Sequence, residues 1–334
     1  MRILLAHNKY RLRGGEDVMV ERELDLLRTA GIEVSLYQRE SEEIQGAADK
    51  FRVALSLSHS EREKERFTVA LKDFRPQLVH VHNFFPLLTP SVFEACREAG
   101  VPAVHTLHNY RFFCANGLAL REGRTCLLCL EQHSVLPGVR HGCYRGSKLA
   151  TLPVARLIQK RIHWSANVSG FIATTEFAKK LFVKAGLRPG RVLVKPNFSP
   201  DLSTRFARKD EGFALYAGRL SEEKGIRTLL RAWIGMSLPL KFSGSGPMAG
   251  EIRAAGYDVV EGGSLESFRR RYIDVLERSE LDKADQILGE IMAIYPLENV
   301  ILDVISPALA AIGEAWRAGR VNVATEHLAS AYLR

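Results

Sequence analysis

Gly212-Phe-Ala-Leu-Tyr-Ala-Gly-Arg-Leu-Ser-Glu-Glu-Lys-Gly225 reads as an apolar strand, a tight glycine turn, two cations and the start of a helix. Arg219 and Lys224 converge there with a helix N-terminus, a combination that suits a diphosphate leaving group. The bland alternative is that both cations form surface ion pairs with Glu222 or Glu223. The chain opens on a second unit of the same kind. Strand Arg2-Ile-Leu-Leu-Ala-His7 leads to Gly14-Gly15 and then to an amphipathic helix over Glu16–Ala30, ended by Gly31. Two such units about 200 residues apart predict a cleft between two α/β domains.

The intervening chain keeps alternating. Strands are predicted at Glu33–Tyr37, Gln77–His82, Val101–Leu107, Phe171–Thr174 and Val192–Lys195, with helices at Ser91–Ala99, Leu149–Asn167 and Glu176–Ala185. Such alternation predicts a Rossmann-like, doubly wound α/β fold with a mostly parallel sheet. Ligands on these sheets lie at the carboxyl ends of the strands, which here carry His7-Asn8, His82-Asn83, His108-Asn109 and Thr174-Thr175. His80 and His105 fall inside strands and are read as structural groups. The charge run Glu61–Arg66 is read as a solvated face. The later α/β unit is short: strand Phe213–Ala217, helix Ile226–Trp233, strand Leu240–Phe242 and the turn Gly244-Ser-Gly-Pro247. After Glu261-Gly-Gly263 everything reads as helix, at Leu265–Arg278, Leu281–Ile294, Leu297–Ala318 and from Val323 onward, which predicts a bundle. The expected domains are 1–200, a partial α/β domain at 201–263 and the helical region 264–334.

The 334 residues, 46% apolar and 25% charged, are ordinary for a soluble globular chain. The net charge of +9 is uneven: from Leu265 onward 8 Lys and Arg face 11 Asp and Glu, leaving +12 on the preceding residues. A basic body fits an anionic substrate or an anionic membrane surface. It would also fit nucleic acid, but no recognition motif is present and no nucleic-acid partner is expected. No stretch has the length of a membrane span and the N-terminus lacks signal-peptide character. The expected location is cytoplasmic, with peripheral contact to the inner face of the membrane.

Four of the five cysteines lie where the alternation stops, at 110–147. Cys114-x11-Cys126-x2-Cys129-x13-Cys143 matches a four-thiolate structural zinc knuckle. Four free cysteines in a reducing compartment are the equal alternative, and a disulfide pair the third. Cys96, on a predicted helix, is read as core.

Residues 1 to about 250 resemble the GT-B glycosyltransferases of family 4. The resemblance is carried by Gly14-Gly15 and its helix, by the His ending Val101-Pro-Ala-Val-His-Thr-Leu-His108, and by Gly-Arg-Leu-x3-Lys-Gly at 218–225, in the family order. It implies sugar transfer from a nucleotide-sugar donor, mostly with retention, to a glycan or lipid acceptor. Gly14 and Gly15 would let backbone approach the donor diphosphate, Arg219 and Lys224 would hold it, and His108 would contact the transferred sugar. His82 and Asn83 would stand at the acceptor side. One departure bears on activity: the family's Glu-x7-Glu element is missing. Glu290-x7-Glu298 has the spacing but spans Pro296 in the helical region and is read as a false match.

Residues from Leu265 resemble the helical cap that precedes cobalamin-binding domains. Pro307-Ala-Leu-x-x-Ile-Gly-x-x-Trp316, then nine residues, then Glu326-His327-Leu-Ala329 carry this resemblance. It implies that Trp316, Glu326 and His327 face the upper side of a corrin; the alternative is a bundle core around a buried Trp. The lower-ligand motif Asp-x-His-x-x-Gly is absent from the sequence. Three readings follow: a family 4 transferase, a cobalamin-binding sensory module, or a composite of two truncated modules with neither activity.

Overall fold

The computed structural model describes residues 1–11, 14–199, 212–260, 265–292 and 300–332. The chain packs as two units, Met1–Phe206 and Ala207–Arg334. In the first unit β1 (Arg2–Lys9) is followed by α1 (Gly15–Thr29), β2 (Glu33–Glu40), α2 (Gly46–Ser56), α3 (Glu61–Phe74), β3 (Leu78–Asn83), α4 (Ser91–Glu98) and β4 (Ala103–Leu107). Then come a hairpin of β5 (Leu120–Arg121) and β6 (Arg124–Thr125) and the short helices α5 (Leu128–Glu131) and α6 (Leu136–Arg140). The unit closes with α7 (Lys148–Gln159), α8 (Arg161–Ser165), β7 (Gly170–Ala173), α9 (Glu176–Lys184) and β8 (Val192–Val194).

The main sheet has the order β2-β1-β3-β4-β7-β8, and every pairing in it is parallel. β1 and β3 are buried along nearly their whole length, as central parallel strands covered on both faces must be. Phe67, Phe93, Phe171 and Phe182 fill the space between sheet and helices, and burying each such ring contributes about 2 kcal/mol. Because all six strands run the same way, their carboxyl ends share one edge. That edge receives His7, His82 and the chain leaving β4 at His108.

Two local readings change. The basic helix predicted over Leu149–Asn167 is two helices, α7 and α8, that meet at Lys160. The charge run at Glu61–Arg66 is not wholly solvated, because Glu63 is only 3% exposed and takes hydrogen bonds from Tyr37 Oη (3.0 Å) and Arg39.

The second unit carries a small parallel sheet of β9 (Ala214–Ala217), β10 (Leu240–Ser243) and β11 (Val259–Val260) in the order β11-β10-β9, with α10 (Ile226–Ala232) and α11 (Ala249–Ala254). Leu220, Ile226, Phe242 and Ile252 form its core. The helices α12 (Leu265–Glu277), α13 (Leu281–Met292), α14 (Ser306–Arg317) and α15 (Val323–Tyr332) surround a separate cluster that includes Phe268, Tyr272, Ile291, Val304 and Ile312. The single helix predicted to run to Ala318 is interrupted by a wider π turn at Ile301–Ile305. Pro307 explains it: proline offers no N–H to the carbonyl four residues back and its ring crowds that carbonyl, so the ladder slips by one residue. No helix among the described residues is long and apolar enough to cross a membrane.

Candidate active site

The carboxyl ends of β1, β3 and β4 bring together side chains that lie far apart in the chain. His7 lies near the end of the buried part of β1, and its Nε2 is 2.8 Å from Asp17 Oδ1. Asp17 Oδ2 accepts the N–H of Gly14 at 2.6 Å. Burial alone would raise the Asp17 carboxyl, but the hydrogen bonds from His7 and from the Gly14 amide outweigh it and hold it below the usual range. The Gly14-Gly15 turn is thereby tied to the strand end. A Cβ on Gly15 would meet no heavy atom within 4 Å, and its φ is not left-handed. Neither packing nor backbone conformation therefore demands glycine at that position.

β3 and β4 supply the histidines. His80 Nδ1 lies 2.7 Å from Glu23 Oε1 and its Nε2 lies 2.7 Å from Thr106 Oγ1. Lys195, just past β8, reaches the other Glu23 oxygen at 2.5 Å. The chain after β8 runs back to α1, where Arg22 Nη1 donates to the Phe198 carbonyl at 3.0 Å. Burial works against the Glu23 carboxylate, yet the His80 hydrogen bond and charge, with Lys195, bring its pKa down to about 2. His105 is satisfied within the sheet, with Nδ1 2.9 Å from the Val81 carbonyl oxygen.

His82 and His108 form the centre of the site. Their rings stack with centroids 5.3 Å apart, and His82 Nδ1 is 3.0 Å from His108 Nε2. His82 is 2% exposed, and among the described residues its Nε2 has no hydrogen-bond partner; the nearest carboxylate oxygen, on Glu23, is 3.9 Å away. Burial, followed by the charges of neighbouring histidines, brings His108 down to about 3 and His82 well below the ordinary histidine value. Both rings are neutral at physiological pH, so one donates to the other along the shared bond. His108 is only half-buried and lines a cavity with His82, Asn109, Arg111 and Trp164.

Asn83 lines the same cavity but is committed to the fold: its Nδ2 donates to the Asn8 carbonyl (2.8 Å) and its Oδ1 accepts from Phe85 N (3.0 Å). Asn109 Nδ2 donates to Glu16 Oε1 at 2.9 Å, tying the chain after His108 to the first turn of α1. Burial raises the Glu16 carboxyl, against the pull of Asn109 and Arg111. Glu16, Glu23 and Lys195 were not legible as site residues. A signal did exist: Glu16, Val20, Glu23 and Leu27 fall on one helical stripe, which places carboxylates among apolar positions of α1.

In the second unit Arg219 and Lys224 are exposed. Arg219 lies 4.0 Å from Glu223, with its side chain 61% accessible. The loop carrying it is laced to the next one: Gly218 N donates to Ser243 O (2.9 Å), Leu220 N to Ser245 O (2.9 Å) and Met248 N to Leu220 O (3.0 Å). Cβ atoms on Gly244 and Gly246 would stand 1.9 Å from Gly218 O and 2.3 Å from Leu220 O. Only glycine allows that approach. In the helical region Trp316 is not core but 46% exposed, and His327 is exposed as well. The side chain of Glu326, and Glu298 of the Glu290-x7-Glu298 spacing, lie outside the described residues. The four clustered cysteines line one cavity, and Cys96 is buried in the main core.

A model of Glycosyltransferase Family 4 matches residues 13–199, and a model of the B12 binding domain matches residues 269–334. A 69-residue stretch, 21% of the chain, is 29% identical to the HTH-type transcriptional repressor CarH of Myxococcus xanthus and covers 23% of that protein. The chain thus spans about a quarter of the length of that relative. Among solved structures, the apo form of the lipopolysaccharide outer core galactosyltransferase WaaB matches at 13% identity and a TM-score of 0.44, over 78% of this chain and 67% of that one. UDP-GlcNAc 2-epimerase from Neisseria meningitidis, bound to UDP-GlcNAc, matches at 13% identity and a TM-score of 0.39, over 78% and 72%.

Proposed function

This chain belongs to Glycosyltransferase Family 4, and from that premise we propose that it transfers a sugar from a nucleotide-sugar donor to a glycan or lipid acceptor. The observation that carries the reading is the neutral His82–His108 pair at the carboxyl edge of the sheet. A neutral His108, held by one ring nitrogen, keeps the other to hydrogen-bond a sugar hydroxyl without placing a cation beside an oxocarbenium-like centre. His80 packs against His82 with ring centroids 4.1 Å apart and is itself held by Glu23. Gly15 has open space at its Cα, the room a diphosphate would need to approach the backbone. Arg219 and Lys224, both exposed, are the cations for the departing diphosphate. A basic surface also favours peripheral contact with an anionic membrane bearing a lipid acceptor.

The test is turnover of UDP- and GDP-sugars by the full chain. His108→Ala is expected to lower kcat by about 100- to 1000-fold, the range for losing one transition-state contact, and also to lower the melting temperature, because the buried His82 loses its hydrogen-bond partner. No donor-induced thermal shift in the unmodified chain, together with no turnover, would sink the transferase reading and leave the composite of two inactive modules.

A second reading rests on Trp316. The B12 binding domain model matches 269–334, and an aromatic ring 46% exposed on an otherwise well-packed bundle fits a cofactor-covering face better than a core position. Trp316, Glu326 and His327 would face the upper side of the corrin. Corrin absorbance retained by the chain after reconstitution and gel filtration, and lost in Trp316→Ala, is the expected result.

A further inference from the structure

The insert between β4 and β7 has little regular structure of its own. Its strands β5 and β6 have two residues each and α5 and α6 have four and five, lengths at which neither hairpin nor helix is stable alone. Its inner side packs on the main core through Phe112, Phe113, Leu130 and Val135. On its outer side four cysteines line one cavity.

Four separate turns deliver the thiols. Cys114 follows the 3-10 turn Tyr110–Phe112, and Cys126 leaves the β5–β6 hairpin with its amide bonded to the Ala119 carbonyl (2.8 Å). Cys129 sits in α5, and Cys143 follows α6 with its amide bonded to the Gly138 carbonyl (2.9 Å). All four line one cavity, and none is in a disulfide. Gly138 packs against Cys129, so that a Cβ on it would stand 3.5 Å from the Cys129 sulfur.

A further observation indicates that a charged component belongs there. Arg121 lines the same cavity, and its buried Nη1 has no hydrogen-bond partner among the described residues. A buried guanidinium nitrogen without an acceptor is costly. Four thiolates around a divalent cation carry a net charge of −2, which would supply the counter-charge that Arg121 lacks.

We propose that Cys114, Cys126, Cys129 and Cys143 bind one structural zinc ion as four thiolates, pinning the insert that begins two residues after His108. Binding releases the four thiol protons to solvent, and Cys114, which as a thiol donates to Asn116 Oδ1 (3.0 Å), turns to the metal once deprotonated. Four protein thiolates would leave no open position on the metal, so its role would be structural rather than catalytic. The proposal is independent of sugar transfer.

The full chain, purified under reducing conditions without chelator, should carry close to one zinc per molecule by elemental analysis. Replacing zinc with cobalt should give the visible absorption of a tetrahedral cobalt–thiolate centre, a readout that needs no variant. Cys126→Ser/Cys129→Ser should bring zinc close to zero, while Cys96→Ser should keep it. In native protein the four thiols should react slowly with a thiol reagent until a strong chelator is added. Metal-free chain that shows no cobalt–thiolate band overturns the proposal. So does zinc that survives the double substitution but is lost in His80→Ala, which would assign it to Glu23, His80 and His82, whose donor atoms lie within 4.8 Å of one another. Loss of free thiols without a reductant would assign the cluster to disulfides instead.

Discussion

The two regions proposed to handle the donor are built on opposite principles. Around the carboxyl edge of the first sheet, His80, His82, His105, Glu23 and Thr106 are buried, with His80 bonded to Glu23 and Thr106, His82 to His108 and His105 to the Val81 carbonyl oxygen. In the second unit, Arg219 and Lys224 stand exposed on a loop whose backbone is locked and whose cationic side chains are not. The first arrangement is preorganised: its cost in desolvation is met during folding, and its stability and chemistry are coupled. The second keeps its charges hydrated until an anion arrives, so its side chains should affect binding while leaving folding alone. Breaking each region in turn should therefore give opposite signatures.

The largest effect is expected from Glu23→Ala. It leaves the buried His80 without its carboxylate, and removing one partner of a buried pair costs about 3 kcal/mol or more. For a unit of about 200 residues that lowers the melting temperature by about 6–12 °C, measurable by calorimetry. The same network sets a pH dependence. His82, His105 (brought down to about 4) and His108 lie below their ordinary value of 6.5 when folded. Below pH 6.5 the unfolded chain thus binds more protons than the folded chain, and stability is lost as pH falls toward 4. Glu23 extends the loss: its stabilisation is complete above its ordinary 4.5 and disappears as pH falls toward 2. The described part of the second unit holds a single histidine, the exposed His327, so its transition should not follow the first in the window from pH 6.5 to 4.5.

This asymmetry also explains what could be read from the sequence. Strands, glycine turns and the histidines at strand ends are local patterns, and the parallel six-stranded sheet followed from their alternation. The exposed loop at 218–225 was legible because its information is contiguous. The buried network was only half legible, because Glu23 meets Lys195 across 172 positions and His80 across the sheet. Nothing local distinguishes a carboxylate facing a sheet from one facing water. Glu63 was misread for the same reason: its partners Tyr37 and Arg39 lie on β2, outside the charge run that made it look solvated. The π turn ahead of α14 was a matter of reading Pro307 as an N-terminal residue of a new helix rather than an interior one.

The next effect tests whether the second loop's backbone is as rigid as its side chains are free. Gly246→Ala places a Cβ 2.3 Å from the Leu220 carbonyl oxygen at a φ of +154°. The two loops must separate, at a cost of about 2 kcal/mol. Lower stability of the second unit, with the first transition unchanged, is the expected calorimetric result. Arg219→Ala should do the reverse. Its guanidinium is 61% accessible and pairs with Glu223 only at 4.0 Å separation, so the melting temperature should hold. Loss of a charge-assisted contact to diphosphate, worth about 1.5–2 kcal/mol, should weaken donor binding roughly 10- to 30-fold, as read by titration calorimetry. A large fall in stability would show that the loop is preorganised after all and erase the contrast.

The smallest and most discriminating effect concerns Gly15, which lies in the preorganised unit yet is predicted to behave like the exposed loop. Its Cα faces open space, so alanine there clashes with nothing in the chain. Alanine is also the better residue at the first helical position, since glycine costs up to about 1 kcal/mol in a helix. Gly15→Ala should therefore leave the melting temperature unchanged or raise it slightly. If a diphosphate comes to this turn, the added methyl occupies the path of its oxygens, and donor affinity should fall about tenfold while affinity for the free sugar stays the same. Equal donor affinity in both proteins would mean that the glycine turn serves only to start α1, and that the donor is held by the cations alone.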